Sequence, residues 1–307
     1  MIKVKTKRKI DRNDLIFIVT LLILPTLQFC IFYIGTNLNS FALAFQRYEN
    51  GKYVPNGWEN FRKVFSDLAS SREVRYALKN SFIVYFVGIL ISVPIAIIFA
   101  FYIYKKFPFF RTFKVLLYLP QLLSMLTLCL LYRYFADNAI PDAMNKFFGI
   151  NIVSGFYSNR ATQYASYMLA FVLFGAGGTL LLYLGAMSGI SQSITEASEI
   201  DGAGNLTQLV YIFVPLIFPT IKTFFICGMA SLFSNQFNLF YFEGLGANPK
   251  YGTIGYYFYK LIAERGGRQN YAYVATFGLF LSAMLIPVTL IKCKIGRAVQ
   301  QECRDRS

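Results

Sequence analysis

Residues 196–215 read EASEIDGAGNLTQLVYIFVP, and they sit between two long apolar runs. The segment opens with Glu196, Glu199 and Asp201, contains no Lys or Arg, and is punctuated by Gly202 and Gly204. Around it lies a basic protein, with 30 Lys and Arg against 15 Asp and Glu in 307 residues. Ser193 followed by Glu196 is an S-x-x-E capping box, which predicts a short helix continuing through Ala197, Ser198 and Ile200. Gly202 and Gly204 then break it, because glycine accepts the angles of a sharp turn without a Cβ penalty. Asn205 is the expected N-cap of a second helical run, NLTQLVYIFVP, that leads into the next apolar stretch. Two short helices around a glycine hinge, lying on a membrane surface, are the predicted local structure.

The composition outside this segment is that of an integral membrane protein. Hydrophobic residues make up 56% and charged residues 15% of the chain, where soluble domains average roughly 45–50% and about 25%. Six apolar segments, near 15–36, 81–104, 113–135, 163–190, 213–241 and 271–292, are long enough to cross a hydrocarbon core that takes about 20 helical residues. The predicted fold class is therefore all-α, with six transmembrane helices. The first segment has the position of a signal peptide, and Ala42-Leu43-Ala44 imitates a cleavage site. Its apolar core exceeds the roughly 7–15 residues of a signal h-region, which reads as a retained span. Pro25, Pro94 and Pro287 fall within spans, where neighbouring helices satisfy the freed backbone groups.

The expected organisation is a basic N-terminal tail (1–14), a six-helix domain (15–292) with an outer loop at 37–79 and the acidic segment at 191–212, and a C-terminal tail (293–307). Dense Lys and Arg clusters in the N-terminal tail and in YKKFPFFRTFK place those parts, and hence both termini, in the cytoplasm. Total counts are nearly balanced, 16 inside against 14 outside, so the clusters carry the orientation. The positive charge flanks spans and leaves no basic, aromatic-interleaved domain, so nucleic acid is not an expected partner and membrane lipid is. Cys30, Cys129, Cys227, Cys293 and Cys303 form no CxxC, and histidine is absent; neither a zinc site nor a disulfide framework is expected.

The spacing E-A-S, three residues, Gly202, nine residues, Ile212-x-Val214-Pro215 is similar to the E-A-A-x3-G-x9-I-x-L-P signature of the inner-membrane subunits of binding-protein-dependent ABC importers. Ser198 and Val214 are the departures. EASEIDGAG further resembles the form found in carbohydrate importers. GTLLLYLGAMSGIS (178–191), GWENFRKVF (57–65), LKNSFIVYF (78–86), FRTFKVLLYLPQLLS (110–124) and GANPKYGTIGYYFYKLI (246–262) resemble other landmarks of the maltose- and polysaccharide-type sugar permeases, so the likeness covers about 15–295.

This resemblance implies the type I importer permease architecture. It implies that the loop is a coupling helix seated in a cleft of a cytoplasmic ATPase, with Glu196, Ala197, Ser198, Asp201, Gly202, Ala203, Ile212 and Pro215 as the coupling residues. It also implies four kinds of partner: a second, similar permease, two ATPase subunits, an extracytoplasmic solute-binding protein and a carbohydrate solute, expected to be an oligosaccharide. No cofactor is expected in this chain; ATP and Mg belong to the ATPases, and no GxxxxGK[ST] phosphate loop is present. The plainer readings are that Glu196 only completes its capping box and Gly202 only stops a helix.

Polar residues inside membrane helices are candidates for the solute path. These are Ser231, Asn235, Gln236 and Asn238 in the fifth segment and Gln121 and Ser124 in the third; interhelical hydrogen bonding is the plainer alternative. Gly175, Gly177, Gly178, Gly185 and Gly189 are expected to let the fourth span pack closely. The competing functions are an ABC permease for a non-sugar solute, an integral-membrane enzyme and an ion-coupled transporter. The absence of a DxD or DDxxD pair weighs against the second, and the scarcity of Asp and Glu in the spans against the third.

Overall fold

Apolar runs of this length fold as helices because lipid offers no partner for a backbone N–H or C=O. The structure, a computed structural model, describes residues 12–149, 155–264 and 267–305. Along the chain come α1 (Leu15–Ala44), a hairpin of β1 (Gln46–Glu49) and β2 (Lys52–Pro55), α2 (Glu59–Ser70) and α3 (Arg72–Tyr104). There follow α4 (Phe110–Leu122), α5 (Met125–Phe148), α6 (Gln163–Ser188), α7 (Gln192–Ile200) and α8 (Asn205–Ala230). A short α9 (Leu239–Glu243), α10 (Ile254–Ala263) and α11 (Gly267–Asp305) complete it. Among the described residues five helices are long and apolar enough to span a membrane, and the bent pair α4–α5 makes a sixth.

Two of the expected spans are not continuous helices. The third breaks between Leu122 and Met125, where α4 and α5 meet at 111°. The cause is local: Ser124 adopts an extended conformation and its hydroxyl accepts from the Thr127 N–H at 3.2 Å, an N-cap that starts a new helix. The fifth ends at Ala230 rather than running to 241. After it, residues 231–238 are irregular, with Phe237 and Asn238 both at φ +56°.

Prolines shape the helices that do continue. Gly88–Ser92, Phe135–Ala139 and Leu209–Phe213 are π-helical, and each stretch ends two residues before Pro94, Pro141 or Pro215. A proline ring has no N–H and collides with the carbonyl four residues earlier. A wider turn just upstream relieves that collision while the helix carries on.

The chain divides into two units, residues 1–65 with 266–280 and residues 66–265 with 281–307. In the first, the Asn50-Gly51 turn, with φ +49° and +85°, joins β1 to β2 in a tight hairpin. The Asn-Gly pair is the sequence signal for such a hairpin. Asn60 is buried and donates to the carbonyls of Ala44 at 2.9 Å and Gln46 at 2.7 Å, clipping α2 to the end of α1. No residue of the apolar window of α1 is buried within the chain.

In the second unit α3 packs most extensively on α6. Helices in lipid gain little from hydrophobic transfer, so close packing and hydrogen bonds hold them together. Ala96 and Ala100 on α3 meet Tyr183 and Met187 on α6 and Phe213 and Ile217 on α8 in one buried cluster. A second cluster joins Val84, Tyr157, Tyr167, Phe237, Leu239 and Phe242. Of the five glycines near or in α6, Gly177 makes the close interhelix approach. A Cβ there would lie 2.7 Å from Gln121 Nε2 and 2.9 Å from the Leu117 carbonyl, whereas Gly175, Gly178 and Gly185 face open space.

Candidate functional site

The acidic segment forms α7, a turn, and the start of α8. Its N-terminus differs from the expected capping box: Ser191, not Ser193, is the N-cap, and it makes no side-chain cap. Ser193 Oγ instead lies 2.7 Å from Ser191 Oγ, and Glu196 Oε1 accepts from Gln192 Nε2 at 2.7 Å, the i,i+4 partner. The α8 cap is likewise shifted, with Gly204 as N-cap and Asn205 as the first helical residue. At α7 the shift arises because neighbouring side chains bond each other rather than the free backbone N–H groups.

The C-terminus of α7 is a Schellman turn. Gly202, at φ +75°, donates its N–H to Glu199 O at 3.1 Å, and Ala203 N–H reaches back to Ser198 O at 2.9 Å. Gln208, buried on α8, donates from Nε2 to Ala203 O at 2.9 Å, tying the two helices together. The Asp201 N–H closes on Ala197 O at 3.0 Å. Thr195 and Ser198 are the buried residues of α7, so its inner face is polar and small. Its outer face shows Glu196, Ala197, Ile200 and Asp201. Ile200 is 86% exposed, and Leu206 and Tyr211 on α8 are 74% and 76% exposed. Ile212 is half-buried beside the α3–α6–α8 cluster, and Pro215 is exposed at the end of the π-helical stretch.

One contact was not foreseen. Lys105, immediately after α3, donates from Nζ to Glu199 Oε1 at 2.7 Å, with the lysine side chain 11% and the glutamate 57% exposed. α7 is thereby pinned to the end of α3 as well as continuing from α6 and into α8. A lysine at the end of an apolar run carried only an orientation signal.

Between α3, α6 and α8 lies a cavity of about 320 Å³. Its polar lining comes from Ser81, Tyr85, Thr179, Ser231, Asn235 and Thr253, and no charged residue lines it. The irregular 231–238 stretch forms part of this wall, which is where non-helical backbone is tolerated at membrane depth. Most of its groups are satisfied internally. Thr253 Oγ1 donates to Asn235 O at 2.6 Å, Asn235 Oδ1 accepts from Phe237 N–H at 2.8 Å, and Ser231 Oγ donates to Gly228 O at 3.1 Å.

The six candidate solute residues therefore separate. Ser231 and Asn235 line the cavity. Gln121 packs against Gly177, Ser124 caps α5, and the carbonyls of Gln236 and Asn238 close the turn into α9 by accepting from Leu239 and Tyr241 N–H. The last four are outside the cavity wall. Side-chain polarity pointed to the 231–238 stretch, but the cavity itself is decided by how α3 and α6 approach it.

A broken third span, a helix–turn–helix between the fourth and fifth spans and a cavity beside a broken fifth span together make the fold of an ABC-importer permease subunit. The same fold is seen in the crystal structure of a bacterial alginate ABC transporter in complex with an alginate pentasaccharide-bound periplasmic protein, with a TM-score of 0.75 and 20% identity over 92% of this chain and 95% of that one. By sequence the chain is similar to the arabinooligosaccharides transport system permease protein AraP of Bacillus subtilis (strain 168), 23% identical over 286 residues, covering 90% of this chain and 87% of the relative. It is also similar to the maltose/maltodextrin transport system permease protein MalF of Escherichia coli (strain K12), 21% identical over 260 residues, covering 80% of this chain and 50% of MalF. No family model matches the chain. The described residues hold the membrane-length helices of a multi-pass membrane protein, and both relatives are named as transport system permease proteins.

Proposed function

We infer that this chain is a permease subunit that moves an oligosaccharide into the cell, with ATP hydrolysed by separate ATPase subunits that dock on α7. The observation that carries this reading is the outer face of α7 with the turn after it and the start of α8. It combines Glu196 and Asp201 with exposed Ile200 and Leu206 on a backbone locked by the Gly202 turn. A rigid, acidic and apolar surface of this kind suits a basic-rimmed cleft on a soluble partner, where Glu196 forms charge-assisted hydrogen bonds. Docking there places α7 and both termini in the cytoplasm. The cavity beside Asn235 then lies on the solute path, its hydroxyl and amide groups matching sugar hydroxyls and its Phe171 and Phe224 rings matching sugar C–H faces. A second permease would complete that path, and an extracytoplasmic solute-binding protein would deliver to it, as the periplasmic protein in the alginate complex is bound to its own transporter.

The test is a mild-detergent pull-down from the native membrane, with and without Glu196→Lys. A second six-span protein and a Walker-motif ATPase should co-purify, and the substitution should release the ATPase while the permease pair stays together. Recovery of the chain alone, or an ATPase indifferent to Glu196→Lys, refutes the coupling role of α7.

A further inference from the structure

One cation stands inside a span with no counter-charge beside it. Lys222 lies within α8, between Ile221 and Thr223, and is the only charged residue of Asn205–Ala230. Its depth follows from the contacts that α8 makes with α3. The rings of Phe213 and Phe101 meet with centroids 5.1 Å apart, and further along α8 a Cβ on Gly228 would lie 3.3 Å from the Tyr85 ring. Lys222 falls between these two contacts, a little nearer the second, which sets it roughly level with Ser92 of α3. Ser92 is midway between Lys79 and Lys105, the cations at either end of that apolar stretch. It is about 20 Å from each at 1.5 Å per residue. A hydrocarbon core is roughly 30 Å thick, so Lys222 stands close to its centre.

A charge at that depth is costly in lipid; such residues face a neighbouring helix or water and find a partner there. Reaching back to the surface does not solve the problem. About 15 Å separates the centre from either face, and the four-carbon stem of lysine covers less than half of that.

The chain supplies no partner of its own. Lys222 is half-buried and makes no hydrogen bond or ion pair among the described residues. No Asp or Glu occurs in 15–44, 74–104, 110–134, 163–188, 205–230 or 267–289. The side of α8 that carries the lysine is also open. Ile217 and Ile221 pack into the cluster with α3 and α6, whereas Pro215, Phe218 and Pro219, which share the lysine's side of the helix, are exposed. Nor does Lys222 face the polar cavity. Phe224 lines that cavity, and two residues along an α-helix turn the side chain by about 200°.

We propose that Lys222 forms an ion pair inside the membrane with an Asp or Glu carboxylate on a span of the second permease, and that this pair makes the second permease a different chain rather than another copy of this one. This rests on the importer reading above. A carboxylate opposite Lys222 satisfies the ammonium through charge-assisted hydrogen bonds where no water competes. The same contact covers Phe218 and the two prolines. A second copy seated on this face has no acid to offer and brings a second cation, so self-pairing is opposed by two unpaired charges at membrane depth.

The experiment takes the whole importer from cells that also make a differently tagged second copy of this chain, extracted in mild detergent. The wild type should bring down the second permease and not the other tagged copy. Lys222→Glu should recover about thirtyfold less second permease, the effect of breaking a buried charge pair, while Lys222→Arg recovers it normally. Each Asp or Glu in the spans of the second permease is then changed to Lys and combined with Lys222→Glu. One of these swaps should restore the complex, a rescue that a merely misfolded Lys222→Glu chain would not show. Undiminished recovery with Lys222→Glu, failure of every swap, a second permease with no carboxylate in its spans, or capture of the other tagged copy by the wild type overturns the proposal. So does a Lys222→Gln complex that assembles in full yet no longer carries a uronate-containing oligosaccharide, since the lysine would then serve the solute. A wild-type chain that brings down neither a second permease nor an ATPase would instead bring down the importer reading itself.

Discussion

Reversing the charge at Lys105 is the sharpest probe of how α7 is held. Its ammonium lies 2.7 Å from Glu199 Oε1, and it is 11% exposed while the glutamate is 57% exposed. At an effective dielectric of about 20 the direct attraction is about 6 kcal/mol. Most of that is offset by desolvating the lysine and screened at the exposed glutamate, leaving a net of about 1–1.5 kcal/mol, between an exposed ion pair and a buried hydrogen bond to a charged group. Lys105→Glu removes this and adds a like-charge contact of similar size, a total change of about 2–3 kcal/mol. At 1.4 kcal/mol per factor of ten, the population in which α7 has left the end of α3 rises about 30- to 150-fold. On the coupling role proposed for α7, proteoliposomes carrying the full importer should continue to hydrolyse ATP while solute moved per ATP falls, because force reaching α7 no longer passes to α3. Glu199→Lys should do the same. The double swap Lys105→Glu/Glu199→Lys should restore most of the coupling, since it rebuilds the pair with opposite polarity. Normal coupling in Lys105→Glu, or a double swap as poor as the singles, refutes this role for the pair.

Two further outcomes follow from the packing. Glu243 Oε1 accepts from the hydroxyls of Tyr157 and of Tyr167, the latter at 2.9 Å, and both tyrosines are 2% exposed. Burial first, and then the bond to Glu243, hold the Tyr157 phenol above its ordinary pKa, so it remains a donor at any working pH. Glu243→Leu strands two buried donors and should cost about 2–4 kcal/mol, read as a lower melting temperature in detergent; Glu243→Gln, which keeps an acceptor, should recover much of the loss, and an unchanged Leu variant would refute the network. Gly177→Leu should force α4 away from α6, because the clash at 2.9 Å is with backbone at Leu117 as well as with the Gln121 side chain. Gly175→Leu, which meets nothing within 4 Å, serves as the control; equal detergent stability of the two variants would contradict the close approach.

The amino-acid sequence by itself determined whatever rests on neighbours in the chain. The apolar runs specify helices of membrane length, since no other backbone arrangement satisfies itself there. Gly202 specifies the turn after α7, because position C′ of a Schellman motif needs a left-handed residue, and it takes φ +75°. The positions of the π-helical stretches before Pro94, Pro141 and Pro215 are legible in the same way, once proline's clash with the preceding turn is considered. The Ser124 cap was also written locally, inside an apolar run that outweighed it as a signal, and so was the Asn50-Gly51 hairpin, in the polar stretch 46–57.

Only the tertiary structure decided the contacts between distant positions. Lys105 and Glu199 are 94 residues apart, and Asn80 reaches Lys250 across 170. No local pattern encodes such pairs: they depend on how α3, α6 and α8 cross, which is set by small residues such as Ala96, Ala100 and Gly177 acting together. The same crossing leaves Ser231 and Asn235 on a cavity wall while Gln121 and Ser124, equally polar in sequence, are consumed by packing and capping. Polarity within an apolar run marks a residue that must find a partner; which partner it finds is a property of the assembled helices.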